Sequence, residues 1–209
     1  MSKAKGQQAA TDWNRYEEAV RTIVAAYKTL GQRQYVDEVA ARLKADPTCL
    51  DLSHVSALNN AIKGIEQKTV GLYLFEACFA NYVAPADQSP ADAFIAAWED
   101  SRKEHKPASP NVNKARIREH LAAGPEEWHA LYLGKGQDLR DRLQEHLTGA
   151  ADDGWSCLRL GQRAQVFEGV SLRLSWCEVP LGAQHYDLVV PYFEKQLHRL
   201  WKPILGNSR

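Results

Sequence analysis

The sequence predicts an α+β fold in which a small mixed β-sheet is flanked by helices and preceded by an N-terminal helical bundle. Three observations lead to this prediction. In the first third of the chain, apolar residues recur with a helical period. Farther along, three separate stretches alternate as half-buried strands do. The C-terminal half then follows the order strand, helix, strand, helix.

Size and composition are those of a folded globular protein. The chain has 209 residues, of which 44% are hydrophobic, so it can bury a proper core. The N-terminus is polar, and no apolar run approaches the roughly 20 residues that span a bilayer. We therefore expect a cytoplasmic protein with no membrane partner.

Charge and cysteine content restrict the function classes further. Lys plus Arg and Asp plus Glu are balanced at 26 each. No overall field attracts a polyanion, so affinity for nucleic acid has to come from a local patch. The four cysteines lie too far apart for the close pairs of zinc sites, and we expect reduced, mostly buried thiols.

Three amphipathic helices are predicted in residues 1–68, which we treat as one domain. The first runs from about residue 12 to Gly31, and the second covers 36–43. Ser53 can cap the third helix with its hydroxyl group.

The role of this bundle is open between two interpretations. Short amphipathic helices occur in many folds, so the bundle can be a packing or dimerisation module. Alternatively, the segment from Ser53 to Lys63 enters a DNA groove as a recognition element. Lys63 alone adds a positive charge there, which favours the first interpretation.

The second predicted domain, 69–209, begins with a strand at 69–76, where apolar side chains alternate. Prolines interrupt the following segment. We interpret about 77–125 as an insertion with helices at 91–103 and 113–122.

The remaining elements follow from turn and cap signals. A strand at 128–133 is predicted to end in a sharp glycine turn at 134–136, and a helix covers 138–149 between an aspartate cap and a glycine stop. A third strand spans 170–179. The last helix runs from about 191 to 201, with a proline in its first turn.

Two side chains on the helix after the glycine turn are suited to phosphate chemistry. Arg142 and His146 are four residues apart and share a helical face. A guanidinium can donate two hydrogen bonds to a phosphate, and an imidazole can relay a proton near neutral pH. Taken alone, such a pair is more often a solvated charged face.

Glu194 and Tyr132 are the other candidates. Glu194 lies at the margin of the buried face of the last helix, where its carboxylate could hold Mg²⁺ or be an ordinary residue near a helix start. The ring of Tyr132 points away from its apolar neighbours in the strand, so it serves either a site or sheet packing.

The order of these features resembles the GIY-YIG nuclease family, and the spacing of Arg142 and His146 resembles its restriction-endonuclease branch. The resemblance covers about residues 126–207. Its first motif has a candidate in Gly71-Leu72-Tyr73, which requires the insertion. The other matching elements are Tyr132-Leu133-Gly134-Lys135-Gly136, Arg142, Glu194 and Lys202-Pro203-Ile204-Leu205-Gly206-Asn207.

The assignment of Tyr73 has a rival. In that interpretation the strand at 69–76 is a wing of the N-terminal bundle, and the first tyrosine stays unassigned. If Tyr73 does belong to the motif, the resemblance implies that Tyr73 or Tyr132 helps to activate the attacking water, assisted by Lys135 or His146. A phenol acting as a base near pH 7 needs a nearby cation, and Lys135 is the expected source.

The resemblance further implies that Arg142 holds the scissile phosphate, that Glu194 binds Mg²⁺ or another divalent cation, and that Asn207 braces the site. We therefore predict a metal-dependent DNA endonuclease in a restriction or defence role, for which symmetric cutting would favour a homodimer. The alternative is a DNA-binding regulator with a catalytically silent nuclease-like domain. A structural adaptor is a third hypothesis, supported by the balanced charge.

Overall fold

The computed structural model describes residues 32–104, 109–149, 157–179 and 186–206, together with helical positions between 18 and 29. Those helical positions agree with the first predicted helix. The chain divides into two compact units, residues 1–39 and 40–209. The predicted boundary at residue 68 lies inside the larger unit.

In the described residues of the larger unit, a four-stranded sheet has the strand order β1-β4-β2-β3. Every neighbouring pair is antiparallel, so the prediction of a mixed sheet is wrong. The strands β3 and β4, joined through a helix, do run in the same direction, but β2 lies between them. The strands are β1 (Thr48–Leu50), β2 (Gly71–Cys78), β3 (His129–Gly136) and β4 (Ser171–Glu178).

Helices cover the sheet, and most of them match the predicted segments. A 3-10 segment, Leu160–Phe167, precedes β4. None of the helices in the described ranges is long and apolar enough to cross a bilayer. The α-helices with both ends in the described residues are α1 (Arg33–Lys44), α2 (Val55–Ala61), α3 (Pro90–Glu104), α4 (Lys114–Ala123), α5 (Leu139–Thr148) and α6 (Tyr186–Trp201).

The caps of α5 confirm the predicted helix. The Asp138 carboxylate accepts a hydrogen bond from the backbone N–H of Asp141 at 3.2 Å, and Gly149 ends the helix in the left-handed conformation at φ 78°.

Three other features of the fold differ from the predictions. Ser53 does not cap α2, because its N–H and hydroxyl group both bind the Asp51 carboxylate, at 2.9 and 2.5 Å. The short strand β1 was not predicted. Helix α6 begins before Pro191, which lies inside it.

The predicted insertion contributes to the main core. Phe94 and Trp98 of α3 and Ile117 of α4 are buried in the same apolar cluster as Phe75 of β2. Leu58 of α2 joins that cluster as well. One core therefore unites the sheet with helices on both sides of the predicted boundary.

Gly134 and Gly136 lie inside β3, so the predicted turn at 134–136 is wrong. Gly134 is paired with Tyr73 in the β2–β3 register. A Cβ atom at position 134 would overlap the hydroxyl and ring of Tyr73. The glycine is required here because an aromatic side chain from the neighbouring strand fills its place.

The segment after α6 returns along β3. Backbone N–H groups of Ile204 and Leu205 donate to the carbonyls of Ala130 and Leu131, at 3.0 and 2.8 Å. Gly206 follows in the left-handed conformation at φ 86°, and a Cβ atom at this position would lie 3.3 Å from the ring of Tyr132. The described chain thus ends beside one of the candidate site residues.

Candidate active site

Two tyrosines from neighbouring strands stack at the centre of the candidate site. Tyr73 lies on β2 and Tyr132 on β3, with ring centroids 6.2 Å apart and ring planes inclined by 25°. Tyr73 is fully buried, whereas Tyr132 is partly exposed. Because β2 is an inner strand of the sheet and pairs with both β3 and β4, the rival interpretation of 69–76 as a wing of the bundle is wrong.

His146 holds the hydroxyl group of Tyr73. Its Nδ1 accepts the backbone N–H of Leu158 at 3.0 Å, so that nitrogen carries no proton. The proton of the neutral ring is then on Nε2, which lies 2.7 Å from the Tyr73 hydroxyl and donates to it. Burial, and secondarily the charge of Arg142, keep the pKa of His146 well below its ordinary value. His146 is therefore a neutral donor that orients Tyr73.

Arg142 is the cation of this cluster. Its guanidinium interacts with the phenols of Tyr73 and Tyr132 and is ion-paired with Glu145. Burial alone would lower the pKa of Arg142, but its interactions with Tyr73, Glu145 and Tyr132 outweigh that effect and raise the pKa. The guanidinium stays charged beside two phenols.

Burial raises the pKa of both phenols above the ordinary value, most strongly for Tyr73, and Arg142 opposes that shift. Both phenols are therefore neutral at rest near pH 7. The cation acting on them is Arg142 rather than the expected Lys135. Three residues along a strand reverse the side of the sheet, which takes Lys135 away from the face of Tyr132.

Lys135 is ion-paired with Glu194 of α6, and both side chains are partly buried. The negative charge of Glu194 nevertheless acts on the two stacked tyrosines, since it contributes to raising the pKa of both Tyr73 and Tyr132. Within the described ranges, no three His, Cys, Asp or Glu side chains are grouped as a metal site. A cation such as Mg²⁺ would therefore have Glu194 as its protein carboxylate, with water and phosphate oxygens as further ligands. That donor type suits a hard cation.

Two residues near Glu194 were not predicted. Tyr186 and His198 lie two turns before it and one turn after it on α6, so helical spacing could have indicated them. Burial, followed by the charge of Glu194, raises the pKa of Tyr186 to about 12. His198 is buried, its ring is hydrogen-bonded to the backbone of Leu133, and burial lowers its pKa.

The predicted site residues therefore fall into two groups and one exception. Tyr73, Tyr132, Arg142 and His146 form one contiguous cluster, and Lys135 with Glu194 forms a pair whose charge acts on that cluster. Asn207 lies outside the described residues.

No protein-family model, no curated protein and no solved structure matches this chain. The resemblance to GIY-YIG nucleases therefore rests on the residues and motifs of the sequence itself.

Proposed function

We propose that this protein is a metal-dependent endonuclease that hydrolyses phosphodiester bonds in DNA. The observation that carries the proposal is the directed set of contacts from Leu158 through His146 to Tyr73, next to a guanidinium that interacts with both phenols. A fixed donor chain and a partly buried cation suit a reaction in which a phosphate gains negative charge.

The geometry favours Tyr132 as the general base: its phenol first releases its own proton to solvent, and the resulting phenolate takes a proton from the attacking water. The Tyr73 hydroxyl oxygen accepts a hydrogen bond from His146 Nε2–H, so the hydroxyl proton of Tyr73 can be donated to another acceptor. Tyr73 and Arg142 both act on Tyr132 as hydrogen-bond partners that lower its pKa, against burial, which raises it. A phenolate at Tyr132 would thus meet two donors, and Tyr132 is also the more exposed phenol.

Arg142 is the proposed phosphate-binding residue. Its planar fork matches two phosphate oxygens, and the Glu145 carboxylate now takes the place that a phosphate would occupy. Glu194 would hold the divalent cation, which supplies charge neutralisation at the phosphate. For that role, Glu194 has to exchange its ion pair with Lys135.

Plasmid cleavage tests this proposal directly. With Mg²⁺, the purified protein is expected to nick or cut plasmid DNA, and Arg142→Gln and Glu194→Gln should each reduce the rate by about 100-fold or more, the typical effect of losing a transition-state contact. Arg140→Gln is the matched control, because Arg140 is an exposed residue of the same helix. Cutting that persists in both site variants would refute the mechanism.

The same gel distinguishes the alternative of a DNA-binding regulator with a silent nuclease-like domain. A regulator would shift DNA with or without Mg²⁺ and leave it intact. A structural adaptor would neither shift nor cut it.

A further inference from the structure

A second group of cations lies behind His146, on the other side of Leu158. Arg102 comes from the end of α3, Arg159 immediately precedes the 3-10 segment, and Arg163 lies inside it. Arg102 lies one helical turn after Trp98, on whose ring the Arg163 guanidinium stacks, and Arg159 lies four residues before Arg163 in the chain. Burial, and then the charges of Arg159 and Arg102, lower the pKa of Arg163 to about 10, and the nearby Cys157 opposes this shift.

Arg163 is rigidly held and fully buried. One terminal nitrogen donates to the Leu158 carbonyl at 2.8 Å and the other to the Ser109 hydroxyl group. The guanidinium also stacks on Trp98, with its central carbon 4.6 Å from a ring centroid. These contacts fix the orientation of the cation without supplying a negative charge.

The charges of this cluster lack counterions in the described part of the chain. None of the three arginines is ion-paired there with a carboxylate, and the Nε atoms of Arg102, Arg159 and Arg163 are each buried without an acceptor. Buried donors and buried like charges are costly unless an anion satisfies them. Arg159 also adopts the left-handed conformation at φ 53°, which is uncommon for a side chain of this kind and marks a position under special constraint.

We propose that Arg102, Arg159 and Arg163 form an anion site that binds a phosphate group. Each guanidinium presents five N–H donors in a planar fork. Three such forks offer more donors than the two oxygens of a carboxylate can accept, whereas a phosphate presents three or four oxygens. Arg102 and Arg159 are partly exposed and can be reached from solvent, while Arg163 forms the fixed base.

The position of this site gives it a connection to the candidate active site. Leu158 donates its N–H to His146 and accepts a hydrogen bond from Arg163 through its carbonyl. An anion that binds Arg163 therefore acts on Leu158, the residue whose N–H group orients His146. The proposal that the three arginines bind a phosphate group does not depend on the proposed nuclease function. The proposal that this phosphate belongs to a DNA backbone does rest on that function.

Titration of the full-length protein with inorganic phosphate, at constant ionic strength and followed by calorimetry, tests the site. Saturable binding is expected, and Arg102→Gln and Arg159→Gln should each weaken it by about 10-fold or more, the usual loss for a charged hydrogen bond. Both residues are partly exposed, so these variants are expected to fold. Lys103→Gln is the matched control, because Lys103 is adjacent, exposed and paired with Asp100 at 2.6 Å. Absence of saturable binding, or equal binding by all variants, overturns the proposal.

A DNA arm identifies the source of the phosphate. If a DNA backbone phosphate occupies the site, Arg159→Gln weakens duplex binding and reduces its salt slope by about one. If the variant loses only inorganic phosphate and binds DNA as before, the site takes a free phosphate. A protein that binds phosphate through these arginines but cuts no DNA would contradict the nuclease proposal and leave the anion site standing.

Discussion

Replacing Tyr73 with phenylalanine tests the central contact of the candidate site. The substitution removes one oxygen and leaves the ring stacked on Tyr132. The Nε2–H group of His146 then has no acceptor, because its 2.7 Å contact is with that hydroxyl. Both residues are fully buried, so water cannot readily replace the lost oxygen.

An unsatisfied buried donor costs about 1–3 kcal/mol. We therefore expect the free energy of unfolding of Tyr73→Phe to fall by that amount in urea denaturation, with an unchanged m-value. Tyr82→Phe is the matched control. Tyr82 is a partly exposed tyrosine that also packs against aromatic rings, so its variant should lose less than about 1 kcal/mol.

A double-mutant cycle identifies the contact itself. Tyr73→Phe and His146→Gln should show a coupling energy of about 0.5–3 kcal/mol, as contacting residues in one hydrogen-bond network do. Nuclease activity is measured in the same set, and loss of the donor to Tyr132 should slow cleavage in Tyr73→Phe. If Tyr73→Phe is as stable as the native protein and shows no coupling to position 146, the assigned tautomer of His146 and the donor chain are both refuted.

Three further predictions concern charge, substrate binding and packing. The free energy of unfolding should fall as the pH drops below about 6.5, because the unfolded chain then binds protons that His129, His146 and His198, whose pKa values are lowered in the native state, do not. Urea denaturation should show a loss of up to about 1.4 kcal/mol per pH unit for each of these histidines, and His146→Gln should lack the contribution of one of them. Glu145→Gln should raise DNA affinity several-fold in metal-free gel shifts, because it removes the carboxylate paired with Arg142; unchanged affinity would mean that Arg142 does not contact DNA. Gly134→Ala should destabilise the protein by about 1–3 kcal/mol in thermal unfolding, because its Cβ overlaps Tyr73, and Gly124→Ala, at a helix end, is the control.

The local elements were predictable because their signals are local. Helix α5 follows from an aspartate cap, a leucine stripe and a glycine stop, all of which lie within its own sequence. The strands β2, β3 and β4 follow from alternation. The direction of their pairing could not be predicted in this way, because periodicity does not record which strand lies between two others. Strand β1 has three residues, too few to show a period.

The site shows the same division between local and non-local information. Tyr132, Arg142 and His146 were proposed from residue type and spacing, and the structure brings them together. The role of Gly134 was misread because a glycine signals a turn to its sequence neighbours, whereas here it accommodates a ring from another strand. The partner of Lys135 depends on which side of the sheet α6 covers, and no residue near Lys135 in the sequence carries that information.

The two ion pairs of the site account for how its charges are tolerated without a ligand. Arg142 is neutralised by Glu145, and Lys135 is neutralised by Glu194. A phosphate that replaces Glu145 exchanges an anion for an anion, and a divalent cation that replaces Lys135 exchanges a cation for a cation. Each exchange releases a partly buried charge. Phosphate binding alone would leave Glu145 without its partner, and metal binding alone would leave Lys135 without its partner, while the other ion pair stays intact. Binding of metal and phosphate should therefore be mutually favourable, since each released partner, Glu145 or Lys135, carries the charge opposite to that of the other incoming ligand.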